Sequence, residues 1–210
     1  FSGKEFREFR VVGTTKAWNW QTGAMLQWVG DSNIILYNDY DGTSHIARIV
    51  NTRGETLGTL PLPVAAVSPN GMNALSYSFI RLREYAPGYG YANGLESEEG
   101  TFIPESTGLY IIDLGSNKVK QLFSVSDVVQ INPDPSMNAS YHYFTHGLFS
   151  PSNERFVFFH RWVNEKMQVQ TRMISSNLDG NDLFVFPTSG MVSHIAWMND
   201  QYILAYARTE

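Results

Sequence analysis

Apolar and polar residues alternate along this chain in short runs broken by Gly, Pro, Asn and Asp, and one such pattern recurs four times, at residues 26–37, 66–77, 148–159 and 196–206. In each copy an apolar anchor (Trp28, Val67, Phe149, Trp197) is followed nine or ten residues later by an aromatic (Tyr37, Tyr77, Phe159, Tyr206), with turn formers between them. Period-two alternation interrupted by such residues predicts strand, tight turn, strand.

Behind each of the first three hairpins a second strand pair is expected: 44–50 with 56–60, 108–113 with 118–123, and 171–176 with 183–186. Four strands per unit at about 40 to 50 residues is the signature of propeller blades. The anchors are 39, 82 and 48 residues apart, and an insertion at 80–107 accounts for the long interval. No segment keeps apolar residues at helical spacing with caps over three turns, so the chain reads as all-β.

The fold expected is therefore a β-propeller of four-stranded antiparallel blades, about three and a half of them visible, in a single domain or fragment over 1–210. The blades fall at 24–62, 63–124, 140–187 and 190–210, the last incomplete, and residues 6–12 read as an outer strand of a neighbouring blade. Since propellers close with about four to eight blades, a larger protein is expected, with further segments covering the exposed blade faces. Trp28 and Trp197 are expected in the interior.

Because consecutive strands are antiparallel, loops entering strand one and leaving strand two of a blade meet at one rim. That rim gathers His146 and His194, each three residues before its anchor, with His160, Arg161, Asn38, Asp39, Arg81 and Arg208 at the exits of second strands. The insertion, with Pro87-Gly-Tyr-Gly-Tyr91, arches over the same rim, and long loops of this kind commonly bind ligands. The opposite rim carries only Ser-Pro and Asp-Gly turns.

Three imidazoles suit a first-row metal, so His146, His160 and His194 are the candidate metal ligands, with His142 in reserve. His45, farther from the axis, reads as blade decoration. Arg81, Arg161 and Arg172 offer forked donors to a substrate carboxylate, and Tyr89 and Tyr91, held by glycines, suit stacking on a sugar ring. The bland alternative throughout is a hydrogen-bonded core histidine, a solvated arginine or a packed tyrosine.

Composition narrows the classes. The net charge of −5 with scattered Lys and Arg argues against a nucleic-acid partner. No run is long and apolar enough to span a bilayer, and the charged first ten residues lack a signal peptide's apolar segment, which favours the cytoplasm. The absence of cysteine removes disulfides, thiolate nucleophiles and cysteine-bound zinc. No nucleophile elbow or closely spaced Ser, His and Asp set is present.

The Phe-Ser-Pro-x-x-x-Arg-Phe-Val-Phe hairpin at 149–158 and the Leu-Asp-Gly-Asn-Asp-Leu-Phe run at 178–184 resemble TolB-type and WD40-like propellers. His146-x-x-Phe-Ser-Pro with the later Phe159-His160 resembles oligogalacturonate lyase. The set 17–21, Arg81-Leu82, 87–91, 160–162, 171–173 and 191–194 is similar to bacterial propellers associated with surface polysaccharide.

The lyase resemblance implies manganese-assisted β-elimination of an oligouronide, with His146, His160 and His194 in the metal role and Arg161 or Arg172 on the carboxylate. The expected function is thus binding of, or action on, an acidic oligosaccharide at a histidine-rich rim. The alternative is a non-catalytic propeller that recognises a protein or peptide.

Overall fold

The computed structural model describes residues 11–209. It is nearly all β, and the blade-like repeat is realised. The first sheet joins β1 (Gln27–Trp28), β2 (Ile34–Tyr40), β3 (His45–Asn51) and β4 (Thr56–Leu60) in sequential antiparallel order. The second joins β5 (Ala66–Val67), β6 (Asn73–Ser76), β7 (Gly108–Asp113) and β8 (Val119–Ser124). The third joins β9 (Tyr141–Phe149), β10 (Arg155–Val163), β11 (Val169–Asn177) and β12 (Phe184–Val185), and a hairpin of β13 (Val192–Trp197) and β14 (Ile203–Ala207) follows. No sheet among the described residues links the first blade to the last.

The first strands of the three sheets, β1, β5 and β9, lie side by side, and β11 packs beside β13. The apolar face of each sheet meets its neighbour's. Leu36, Ala47 and Leu60 pack on Val64, Ala74 and Ile112 between blades one and two, and Val157, Phe159 and Met173 pack on Val192 and Trp197 between blades three and four. Each fully buried side chain of this size contributes about 1.5–3 kcal/mol.

The rim of short turns proves to be where blades are tied. The Asn70 N–H donates to Asn153 Oδ1 at 2.8 Å, linking the turns of blades two and three, and the Ser152 N–H donates to Asp200 Oδ1 at 2.7 Å, linking three and four. Gly71, at φ 70°, lets the turn of blade two approach the Gly30 backbone of blade one. These are the Ser-Pro-x-x turn positions of the repeat.

Two expectations need correction. The insertion is not devoid of structure: α1 (Phe79–Tyr85) opens it, N-capped by Ser78, whose hydroxyl accepts from the Arg81 N–H. A second short helix, α2 (Val125–Val129), carries a Ser124/Asp127 capping box. Neither is long enough to show a helical period. Trp28 is 51% exposed, since no described sheet flanks the outer face of blade one, whereas Trp197 does pack on blade three. Of the outer strand expected at 6–12, residues 6–10 lie outside the described residues, and Val11 and Val12 are in no strand.

Candidate ligand-binding site

The rim opposite the short turns holds a cavity of about 170 Å³ at the meeting of the first strands, lined among others by Met25, Tyr77, Phe79, Tyr89, Thr145 and His146. His146 of this lining, and His194 in the next blade outside it, sit at breaks in the strands. In β9 the pairing with β10 slips between Val157 and Phe159, leaving His146 at φ 57°. In β13 the pairing with β14 slips between Ser193 and Ile195, leaving His194 at φ 49°. Met25, the corresponding residue of blade one, has φ 53°.

A bulge with one residue in the left-handed region re-aims that side chain, and a non-glycine residue there costs about 1–2 kcal/mol. The repeat thus places a left-handed residue three positions before its anchor, Met25, His146 or His194, and in blades three and four that residue sits at a bulge. In blade two the same position is Val64, whose backbone is held by Asn38 instead: Asn38 Oδ1 accepts from the Val64 N–H at 2.6 Å and its Nδ2 donates to the Val64 carbonyl at 2.9 Å.

Both histidines are oriented alike. The Thr145 hydroxyl pairs with His146 Nδ1 at 2.8 Å and the Ser193 hydroxyl with His194 Nδ1 at 2.7 Å, so Nε2 is the nitrogen each leaves for a ligand. The His146 ring stacks on Phe159 at 4.8 Å and meets the Tyr89 ring at 5.6 Å. Burial first, and then the positive charge of Arg161 and the nearness of His194, lower its pKa to about 4, so it is neutral at pH 7. Arg161 is half-buried beside this cluster, and its Nε has no protein partner.

Beside the cavity, whose lining includes Thr22 and Tyr89, lies a turn over residues 19–23. Asn19 is 3% exposed and acts as its hub: Oδ1 accepts from the Gln21 and Thr22 N–H groups, and Nδ2 donates to the Tyr89 carbonyl at 2.8 Å. A two-way backbone bridge between Asn19 and Gly23 closes the turn. On either side of the buried Asn19 stand Trp18 and Trp20, 61% and 75% exposed. The signal available in the sequence was Trp-Asn-Trp itself, two large aromatics flanking a residue that favours turns.

The other predicted residues are engaged elsewhere. His160 is fully buried in a chain that fixes every proton. Arg172 Nε donates to His160 Nδ1 at 3.0 Å, so His160 must carry its hydrogen on Nε2 and donate to His142 Nδ1 at 2.9 Å. His142 Nε2 then donates to the Met137 carbonyl at 2.9 Å. Burial holds His142 at a pKa of about 4 and His160 well below its ordinary value.

Arg172 donates in addition to the carbonyls of Val128, Ile131 and Asn132, closing the C-terminal end of α2. Its role is therefore to hold this loop rather than a carboxylate. Arg81, 2% exposed, likewise donates to the carbonyls of His142, Thr101 and Phe102 and lies 4.1 Å over the Tyr141 ring, clamping the insertion to blade three. Tyr91 is buried, stacked on Phe79 at 4.5 Å, with its hydroxyl accepting from Asn38 Nδ2. Tyr89, two residues earlier, faces the cavity.

The three-histidine metal site does not assemble. Both nitrogens of His160 are occupied, and among the described residues no three His, Asp or Glu side chains converge as a metal requires.

No protein-family model matches the chain, and no curated protein matches it in sequence. The blade architecture stands on the sheets themselves, and function has to be argued from the site.

Proposed function

We propose that this propeller-like protein is a recognition module for a carboxylate-bearing oligosaccharide, bound across the mouth of the axial cavity. One observation carries the reading: two histidines at equivalent strained bulges in adjacent blades, each with a hydroxyl on Nδ1, share a rim with Arg161. A backbone strained at repeated positions and filled by a polar ring is more readily explained by ligand contact than by packing.

In this reading Arg161 supplies the full positive charge, and the Nε2 atoms of His146 and His194 add hydrogen bonds to sugar or carboxylate oxygens. Trp18, Trp20 and Tyr89 offer flat apolar faces with polar tips, which suit the CH faces of sugar rings. The reading is one of binding, and it assigns no general base. The exposed Leu204 and Tyr206 on the outer face of the last hairpin favour a second reading, a protein-binding surface.

Tryptophan emission tests the first reading, since Trp18 and Trp20 are solvent-facing. An oligouronide series should shift the emission saturably, neutral oligosaccharides of the same length should do so much less, and Trp20→Ala and His146→Ala should each remove the response. A panel of acidic saccharides that leaves emission unchanged, alongside a protein captured through Tyr206, would favour the scaffold.

A further inference from the structure

A second cavity, of about 320 Å³, lies between the outer parts of blades one and two, under the insertion. Tyr77 and Phe79 form the wall it shares with the axial cavity. Its volume is in the range of small-molecule sites, roughly 300–1,000 Å³. The residues that give it chemistry are His45, Glu96, Ser44, Ser78 and Thr107, with Leu62 on the apolar side.

His45 is the residue without a structural explanation. It is 6% exposed, its ring lies between those of Tyr40 and Tyr91 at 5.3 and 5.2 Å, and Nε2 has no hydrogen-bond partner. An orphaned nitrogen on a buried ring is costly unless something else satisfies it or the ring. Gly94, at φ 84°, brings the insertion against the edge of this ring, closing the cavity on that side. Burial, then the charge of Arg83, keeps the imidazole neutral.

Facing it is a carboxylate already organised by hydroxyls. Glu96 accepts from Ser78 Oγ through one oxygen and from Thr107 Oγ1 at 2.7 Å through the other. Each oxygen keeps a second lone pair, so Glu96 can still accept from a ligand. The same Ser78 hydroxyl caps α1, which fixes its position.

We infer that this cavity is a second ligand site, for a small neutral polyhydroxylated molecule. Hydroxyl groups both donate and accept, which matches a lining of serine and threonine hydroxyls, one carboxylate acceptor and one neutral imidazole. An anion would meet Glu96, and the prolines and leucines of the floor suit CH groups. The inference is independent of the axial reading, since no polar group named for one cavity belongs to the other.

The test is a titration of the imidazole resonances of the intact protein with glucose, galactose and myo-inositol, with glucuronate as the charged control. His45 should shift saturably with at least one neutral compound and less with glucuronate, while His146 stays unmoved. Ser97→Trp, which narrows the mouth, and His45→Phe, which keeps the ring packing but removes one good hydrogen bond, should each weaken binding about fivefold or more. His146→Ala should leave it intact. No saturable shift of His45 with any neutral compound, glucuronate as the tightest ligand, or binding indifferent to both variants overturns the inference.

Discussion

His194 holds a left-handed backbone conformation while its side chain is exposed, so little packing compensates the strain. His194→Gly should therefore raise stability by about 0.5–1 kcal/mol in urea denaturation while weakening oligouronide binding. Gain in stability with loss of affinity is what a residue retained for a ligand should show, and equal affinity would count against it. Asn38 is the opposite case. It is fully buried and its amide stands in for a strand partner of Val64, so Asn38→Ala strands the Val64 N–H and carbonyl and should cost about 2–4 kcal/mol by the same measurement. The two residues look alike in sequence, each a polar residue beside an apolar run.

At the scale of elements, Arg172 ties the C-terminal end of α2 to the third blade through three hydrogen bonds. Arg172→Met should cost about 3–5 kcal/mol, and the amides of 125–132 should lose hydrogen-exchange protection well before those of β10. The strand pairs were legible because each blade repeats one alternation with an anchor and an aromatic at fixed spacing. The same repetition put His146 and His194 at equivalent rim positions, equally far from Phe149 and Trp197, but not the bulges that hold them. What stayed hidden was the direction of individual side chains. His160 follows Phe159 as a rim residue would, yet its ring turns inward, where Arg172 and His142 occupy both nitrogens. Gly90, between Tyr89 and Tyr91, runs so close to the Arg83 backbone that a Cβ would collide with it. The caps of α1 and α2 lie in Ser78 and Ser124, but helices this short carry no period to draw attention to them.

Taken whole, the molecule buries several histidines in neutral form. His45 and His142 have pKa values of about 4 and His160 lies well below its ordinary value, in each case through burial first, whereas unfolded histidine titrates near 6.5. Below that value the unfolded chain binds protons that the folded one refuses, so stability is complete above about pH 6.5 and falls as pH drops toward 4. By pH 5 His45 and His142, each at about 4, contribute a loss on the order of 2 kcal/mol apiece, a sizeable part of the stability of a domain. Carboxylates held low, such as Asp39, act only below their ordinary value. The melting temperature should therefore drop between pH 6.5 and 5, with a shallower slope in His45→Phe, and a flat profile there would contradict the neutral network.

The central claim is that the bulged histidines and Arg161 form one site for an acidic saccharide. Calorimetric titration of trigalacturonate at neutral pH tests it most directly. Saturable binding should fall about tenfold or more in both His146→Ala and Arg161→Ala, with the reduced, uncharged trisaccharide binding as weakly to the native protein as the acid does to the variants. Equal affinity of all three proteins, or no heat from the acid with the native fold intact, would contradict it.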